Sequence, residues 1–117
     1  MATYSVGGGI EVAGSLLLTV SNSGPTSSSY LPPAGHFVVL SNYRYFTSNN
    51  NPNNAFVIET SGNTLFRKNH PAPETSFGPI ASGPLLVGPG VNISIFIINS
   101  SFATATAALF GVIFRNK

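Results

Sequence analysis

The chain has 117 residues and no cysteine, so disulfides and thiolate chemistry are excluded. It has no aspartate and no tryptophan, and charged residues make up only 7% of it, against roughly 25% in an ordinary soluble domain. The acids are Glu11, Glu59 and Glu74; the bases are Arg44, Arg67, Lys68, Arg115 and Lys117. A net charge of +2 is too small for a nucleic-acid footprint, so no nucleic-acid partner is expected. No run of about 18 apolar residues occurs, even in the charge-free stretch from Thr75 to Phe114, because Gly83-Pro84, Gly88-Pro89-Gly90 and Asn99-Ser100-Ser101 interrupt it. A spanning helix is therefore not expected, nor a membrane partner. The N-terminus lacks a basic segment before its apolar run, so no secretory signal is expected, and the sequons at Asn92 and Asn99 are read as incidental.

Catalytic chemistry is equally poorly supplied. A glycosidase pair drawn from the three glutamates would need close placement in space, and solvent-facing strand positions explain Glu11 and Glu59 equally well. His36 and His70 have no second ligand at metal-binding spacing. No nucleophile elbow, phosphate loop or dinucleotide fingerprint is present. Val6-Gly7-Gly8-Gly9-Ile10 lacks the helix that phosphate binding needs and reads as a flexible arm over about residues 1–9. The expectation is a protein that is not an enzyme, with no cofactor and no metal.

What remains is a surface of Ser, Thr and Asn, with nine prolines and twelve glycines dividing short apolar runs. An uncharged polar surface repels neighbours weakly and suits a protein that lives in an assembly. The runs alternate with period two, so the chain reads as a single all-β domain, an antiparallel β-sandwich of jelly-roll or tumour-necrosis-factor-like type. Strands are expected at Ile10–Val20, with Gly14 as a bulge, and at His36–Phe46. A hairpin follows, of Ala55–Thr60 and Thr64–Arg67, then strands at Pro84–Val87, Val91–Asn99 and Ala107–Arg115. Ile10, Val12, Leu16, Leu18 and Val20 would share one face of the first strand. Pro33 and Gly35 would occupy the second and fourth positions of a type I turn, and Pro89-Gly90 suits a type II turn. Ser21–Ser29 and Lys68–Gly83 read as loops. The last strand is apolar on both faces, which places it centrally or in a subunit interface.

Two groups of side chains are candidates for an interaction surface. Tyr43-Arg44-Tyr45-Phe46 interleaves aromatics with one base. Such a set can stack on sugars or bases; alternatively Tyr43 and Tyr45 lie half-buried on one strand face and Arg44 on the other. Arg67 and Lys68, at a hairpin end, can contact an acidic partner or simply be solvated.

The order of turns carries a resemblance. Tyr30, then Pro33-Ala34-Gly35 and HFVVLSNY, then the hairpin NAFVIETSGNTLF, then a strand led by a Pro-Gly turn, then the closing ALFGVIF is similar to small β-sandwich modules of tailed-bacteriophage virions. The similarity covers Tyr30 to Phe114, and departs from the pattern where Val91 stands in place of an acid. It implies a structural protein located in the virion, assembled as a homotrimer. The first implied role is a capsid decoration (cement) protein bound to the major capsid protein or another virion protein. The alternatives are a fibre or receptor-binding tip reading a surface glycan, and a free-standing lectin or adhesin domain.

Overall fold

The computed structural model describes residues 9–21, 25–47, 55–69, 74–80, 85–98 and 105–116. The strands are β1 (Ile10–Ser21), β2 (Ser27–Tyr30), β3 (His36–Thr47), β4 (Ala55–Thr60), β5 (Asn63–Asn69), β6 (Glu74–Pro79), β7 (Leu85–Val87), β8 (Ile93–Ile98) and β9 (Ala105–Asn116). They form two sheets packed as a sandwich. One runs β1-β9-β3, with β7 and β6 following each other along the far edge of β3; the other runs β2-β8-β4-β5. All pairings are antiparallel. The all-β sandwich expected from the alternation is thus what forms, and β9 is central in its sheet, as its two apolar faces imply.

The inner faces supply the core: Leu16, Leu18 and Val20 from β1, Val38, Leu40, Tyr43 and Tyr45 from β3, and Phe56 and Ile58 from β4. Ile93, Ile95 and Ile97 come from β8, and Ala107 and Leu109 from β9. Its centre is aromatic. The rings of Tyr43 and Phe66 lie 4.6 Å apart, and those of Tyr45 and Phe56 5.6 Å apart, within the range of favourable ring pairs.

Bulges decide which residues enter this core. In β1 the register shifts between Val12 and Gly14, as Gly14 suggests, but the extra residue reverses the alternation. Leu16, Leu18 and Val20 point inward, whereas Val12 points outward with its partner Phe114 and is 63% exposed. The five-residue face expected for the first strand is therefore split. In β3 a second shift, between Leu40 and Asn42, makes Ser41 the extra residue. The Ser41 hydroxyl donates to the Phe110 carbonyl at 3.2 Å, and its carbonyl accepts from the Ile80 amide at 3.3 Å. After it, Tyr43, Tyr45 and Thr47 face inward and Arg44 faces out.

Two strands lie in segments read as loops. β2 is Ser27-Ser28-Ser29-Tyr30, which has no apolar alternation to betray it; pairing with β8 makes it a strand. β6 pairs with Tyr43–Thr47 and neighbouring residues of β3 although it contains Gly78 and Pro79, a composition tolerated at a sheet edge. One of the two proline turns also shifts by a residue. His36 N–H donates to Pro33 C=O at 3.0 Å with Gly35 at φ 79°, so glycine holds the left-handed third position of the turn rather than its fourth. Gly90, at φ 80°, holds the third position of the turn Gly88–Val91, as a type II turn over Pro89-Gly90 requires, and its N–H donates to the buried Pro32 carbonyl at 3.0 Å. The two proline turns are thereby tied together at one end of the sandwich. The β4–β5 hairpin closes through Ser61 and Gly62, both at positive φ, the two-residue turn that matches strand twist. Residues 1–8 of the expected N-terminal arm, and His70, lie outside the described residues.

Candidate functional site

The candidate interaction residues do not converge. Tyr43 and Tyr45 are in the core; the Tyr43 hydroxyl bonds to Ser76 Oγ at 2.9 Å. Burial raises the Tyr45 phenol above its ordinary pKa by desolvating the phenolate. The serine bulge turns both rings inward, so neither supplies a stacking surface. Arg44 stands on the outer face of the five-stranded sheet, while Arg67 pairs in register with Val57 on the opposite sheet and donates through Nε to Asn69 Oδ1 at 3.0 Å. Lys68 is opposite Phe56, whose side chain faces inward, so adjacent bases point to different sides. His36 Nδ1 lies 3.1 Å from the Ala34 carbonyl and serves the turn. Arg115 donates through Nε to the Glu11 carboxylate, its partner across β1 and β9. Among the described residues, no cluster of three His, Cys, Asp or Glu forms, and no helix is long and apolar enough to cross a membrane.

The feature that stands out is the outer face of the five-stranded sheet, and it has two halves. Toward the β1 N-terminus it is apolar. The register brings Val12, Phe114 and Phe37 into one row, and Val112, Val39 and Leu86 into the next, with Leu17 and Phe110 in a third. Phe37 and Phe114 stack at 5.2 Å and 15°. Val12, Leu17 and Leu86 are each more than half exposed, although nothing in an isolated sandwich rewards an apolar outer face. Toward the β1 C-terminus the face becomes small and polar. Thr19, Ser21, Pro25, Arg44, Thr106 and Ala108 surround a cleft of about 270 Å³. Arg44 is opposite Phe77, and Phe46 follows on the same face.

Sequence reasoning singled out Arg44 but none of its cleft neighbours. They come from β1, β9 and Pro25, and only the β1-β9-β3 register brings the strand residues to Arg44. The apolar half was visible in part, in the double-faced last strand, but the outward turn of Val12 required the bulge.

No protein-family model matches the chain, and no curated protein matches it in sequence. A solved structure does match in fold: the core of Drosophila NLP, a structure concerned with pentamer formation and histone binding. The TM-score is 0.55 at 12% identity, over 86% of this chain and 97% of that one. This corrects the resemblance drawn from the turn order. Proline-glycine turns between short strands belong to jelly-roll sandwiches in general, and the match is to a pentameric histone-binding core rather than to a bacteriophage virion module. The decoration-protein, fibre and lectin roles fall with that resemblance, as do the homotrimer, the capsid partner and the virion location. The fold of this chain is a nucleoplasmin-like, jelly-roll-type β-sandwich.

Proposed function

We propose that this protein is a ring-forming, chaperone-type binding module, whose copies associate through the apolar half of the five-stranded sheet and together hold a protein partner. The observation that carries this is the outward row structure of Val12, Phe114 and Phe37, Val112, Val39 and Leu86. Val12, Leu17 and Leu86 are each more than half exposed in these rows, and apolar side chains exposed side by side mark an interaction surface. The pentamer of the NLP core supports five as the number of copies, and a closed ring is the outcome of a head-to-tail interface whose rotation closes.

Sedimentation velocity at micromolar concentration tests it. The expected species is five protomers of 12.2 kDa each. Leu86→Lys and Val12→Lys, both at positions more than 60% exposed, keep the far-ultraviolet spectrum and dissociate the assembly. A monomeric wild type, or variants that assemble like it, refutes the proposal.

A second reading, that the partner is a histone, is favoured by the likeness to the NLP core and opposed by charge. Three glutamates stand against five bases, and Glu11 already pairs with Arg115. Titration with core histones at low and moderate salt decides it. A stoichiometric complex supports histone binding; its absence at both salts removes that partner and leaves the ring untouched.

A further inference from the structure

We propose that the cleft around Arg44 binds the carboxylate of an acidic side chain presented by a partner's extended peptide segment. The cleft is complete within one chain and lies at the polar end of the outer face, beyond the apolar rows proposed to join the copies. It rests on that reading only in requiring this end of the face to stay open.

The chemistry comes from three strands. Arg44 of β3 supplies a planar guanidinium with several N–H donors, the group best matched to a carboxylate. Thr19 and Ser21 of β1 and Thr106 of β9 add hydroxyls that can donate to the same oxygens. Among the described residues no carboxylate pairs with Arg44. Glu11 is joined to Arg115 near the other end of the β1–β9 ladder, Glu59 lies on the other sheet, and the backbone of Glu74, on β6, pairs with Thr47 rather than with Arg44. Ala108, with Ala107 beside it, gives a floor too small to fill the space. An Arg facing a hollow of hydroxyls and alanines, on a chain with no aspartate, is arranged to take an acid from elsewhere.

The flanks favour a peptide over a free anion. Phe77 is opposite Arg44 and 67% exposed, and Phe46 adjoins it on the same face. Apolar side chains on either side of a glutamate would find seats there, and that burial adds to an ion pair which in open water is worth little. A small dicarboxylate has no such neighbours to bury.

The test is fluorescence anisotropy with a labelled short peptide carrying a central glutamate between apolar residues, its glutamine counterpart, and unlabelled glutarate as competitor. The glutamate peptide binds wild type, and the glutamine peptide at least tenfold more weakly. Arg44→Gln lowers affinity for the glutamate peptide at least tenfold, and Thr106→Val, which suits a strand, lowers it severalfold. Glutarate competes only at far higher concentration. The ring-interface variant Leu86→Lys, dissociated or not, binds as wild type, so failure of the ring proposal leaves this result readable. Equal affinity for the two peptides, or an unchanged Arg44→Gln, overturns the proposal. Glutarate competing as well as the peptide overturns the peptide assignment. Loss of assembly in Arg44→Gln by sedimentation also overturns it, by showing Arg44 in a subunit contact.

Discussion

Gly111 lies in the middle of β9, paired with Leu40 of β3. A methyl group added there would stand 2.8 Å from the Val39 carbonyl oxygen, and 3.3 Å from Leu40 Cδ2 and Val38 Cγ1. The two side-chain atoms can give way, but the carbonyl belongs to the central ladder. Relief therefore requires β3 and β9 to separate locally. Overpacking of this kind costs about 1–3 kcal/mol, offset by about 0.4–1 kcal/mol because alanine loses less chain entropy on folding than glycine. Gly111→Ala is expected to lose about 1–2 kcal/mol, or roughly 5–10 °C in Tm for a domain of this size. Gly14→Ala is the control: a methyl group there meets nothing within 4 Å and its φ is not positive. That variant is expected to be neutral or more stable by up to about 1 kcal/mol. Urea and thermal unfolding at one fixed protomer concentration measure both, since assembly makes Tm depend on concentration. A Gly111→Ala protein as stable as wild type, or both variants shifting in the same direction, refutes the steric account.

Gly62→Ala forces a side chain into φ 85° at the hairpin turn and is expected to cost about 1 kcal/mol in urea unfolding. Tyr43→Phe removes the hydroxyl bonded to Ser76 but keeps the ring against Phe66, so a loss of about 0.5–1.5 kcal/mol is expected by the same assay. Tyr45 holds its proton more tightly folded than unfolded. The unfolded chain thus releases it first, so its contribution is intact below about pH 10 and is lost as the pH rises further. A stability–pH profile of Tyr45→Phe is expected to fall less steeply above that pH than wild type.

The jelly-roll class was legible because alternation in Ile93–Ile98 and the double-faced Ala105–Asn116 leave few other ways to bury those side chains. Where the code failed, the strand carried no pattern. Ser27–Tyr30 and Glu74–Pro79 are strands because β8 and β3 offer open edges, not because their own side chains ask for it. The resemblance to virion modules failed for a related reason. It was read from turns, and turn chemistry reports how a chain reverses, not what its outer faces meet.

The sequence alone determined the poverty of charge and the absence of thiols. Its apolar alternation also determined that β-sheets would have to cover one another. It did not determine the faces. One extra residue in β1 and one in β3 each reverse every side chain that follows. Those two reversals place Val12 outside, Tyr43 and Tyr45 inside, and Arg44 over a hollow that β1 and β9 complete. A period-two pattern contains no mark of where a strand slips by one, because the slip is settled by which partner strand offers hydrogen bonds and which side chains fill the core. Only the folded sheets decide that, and with it which surface is left for another molecule.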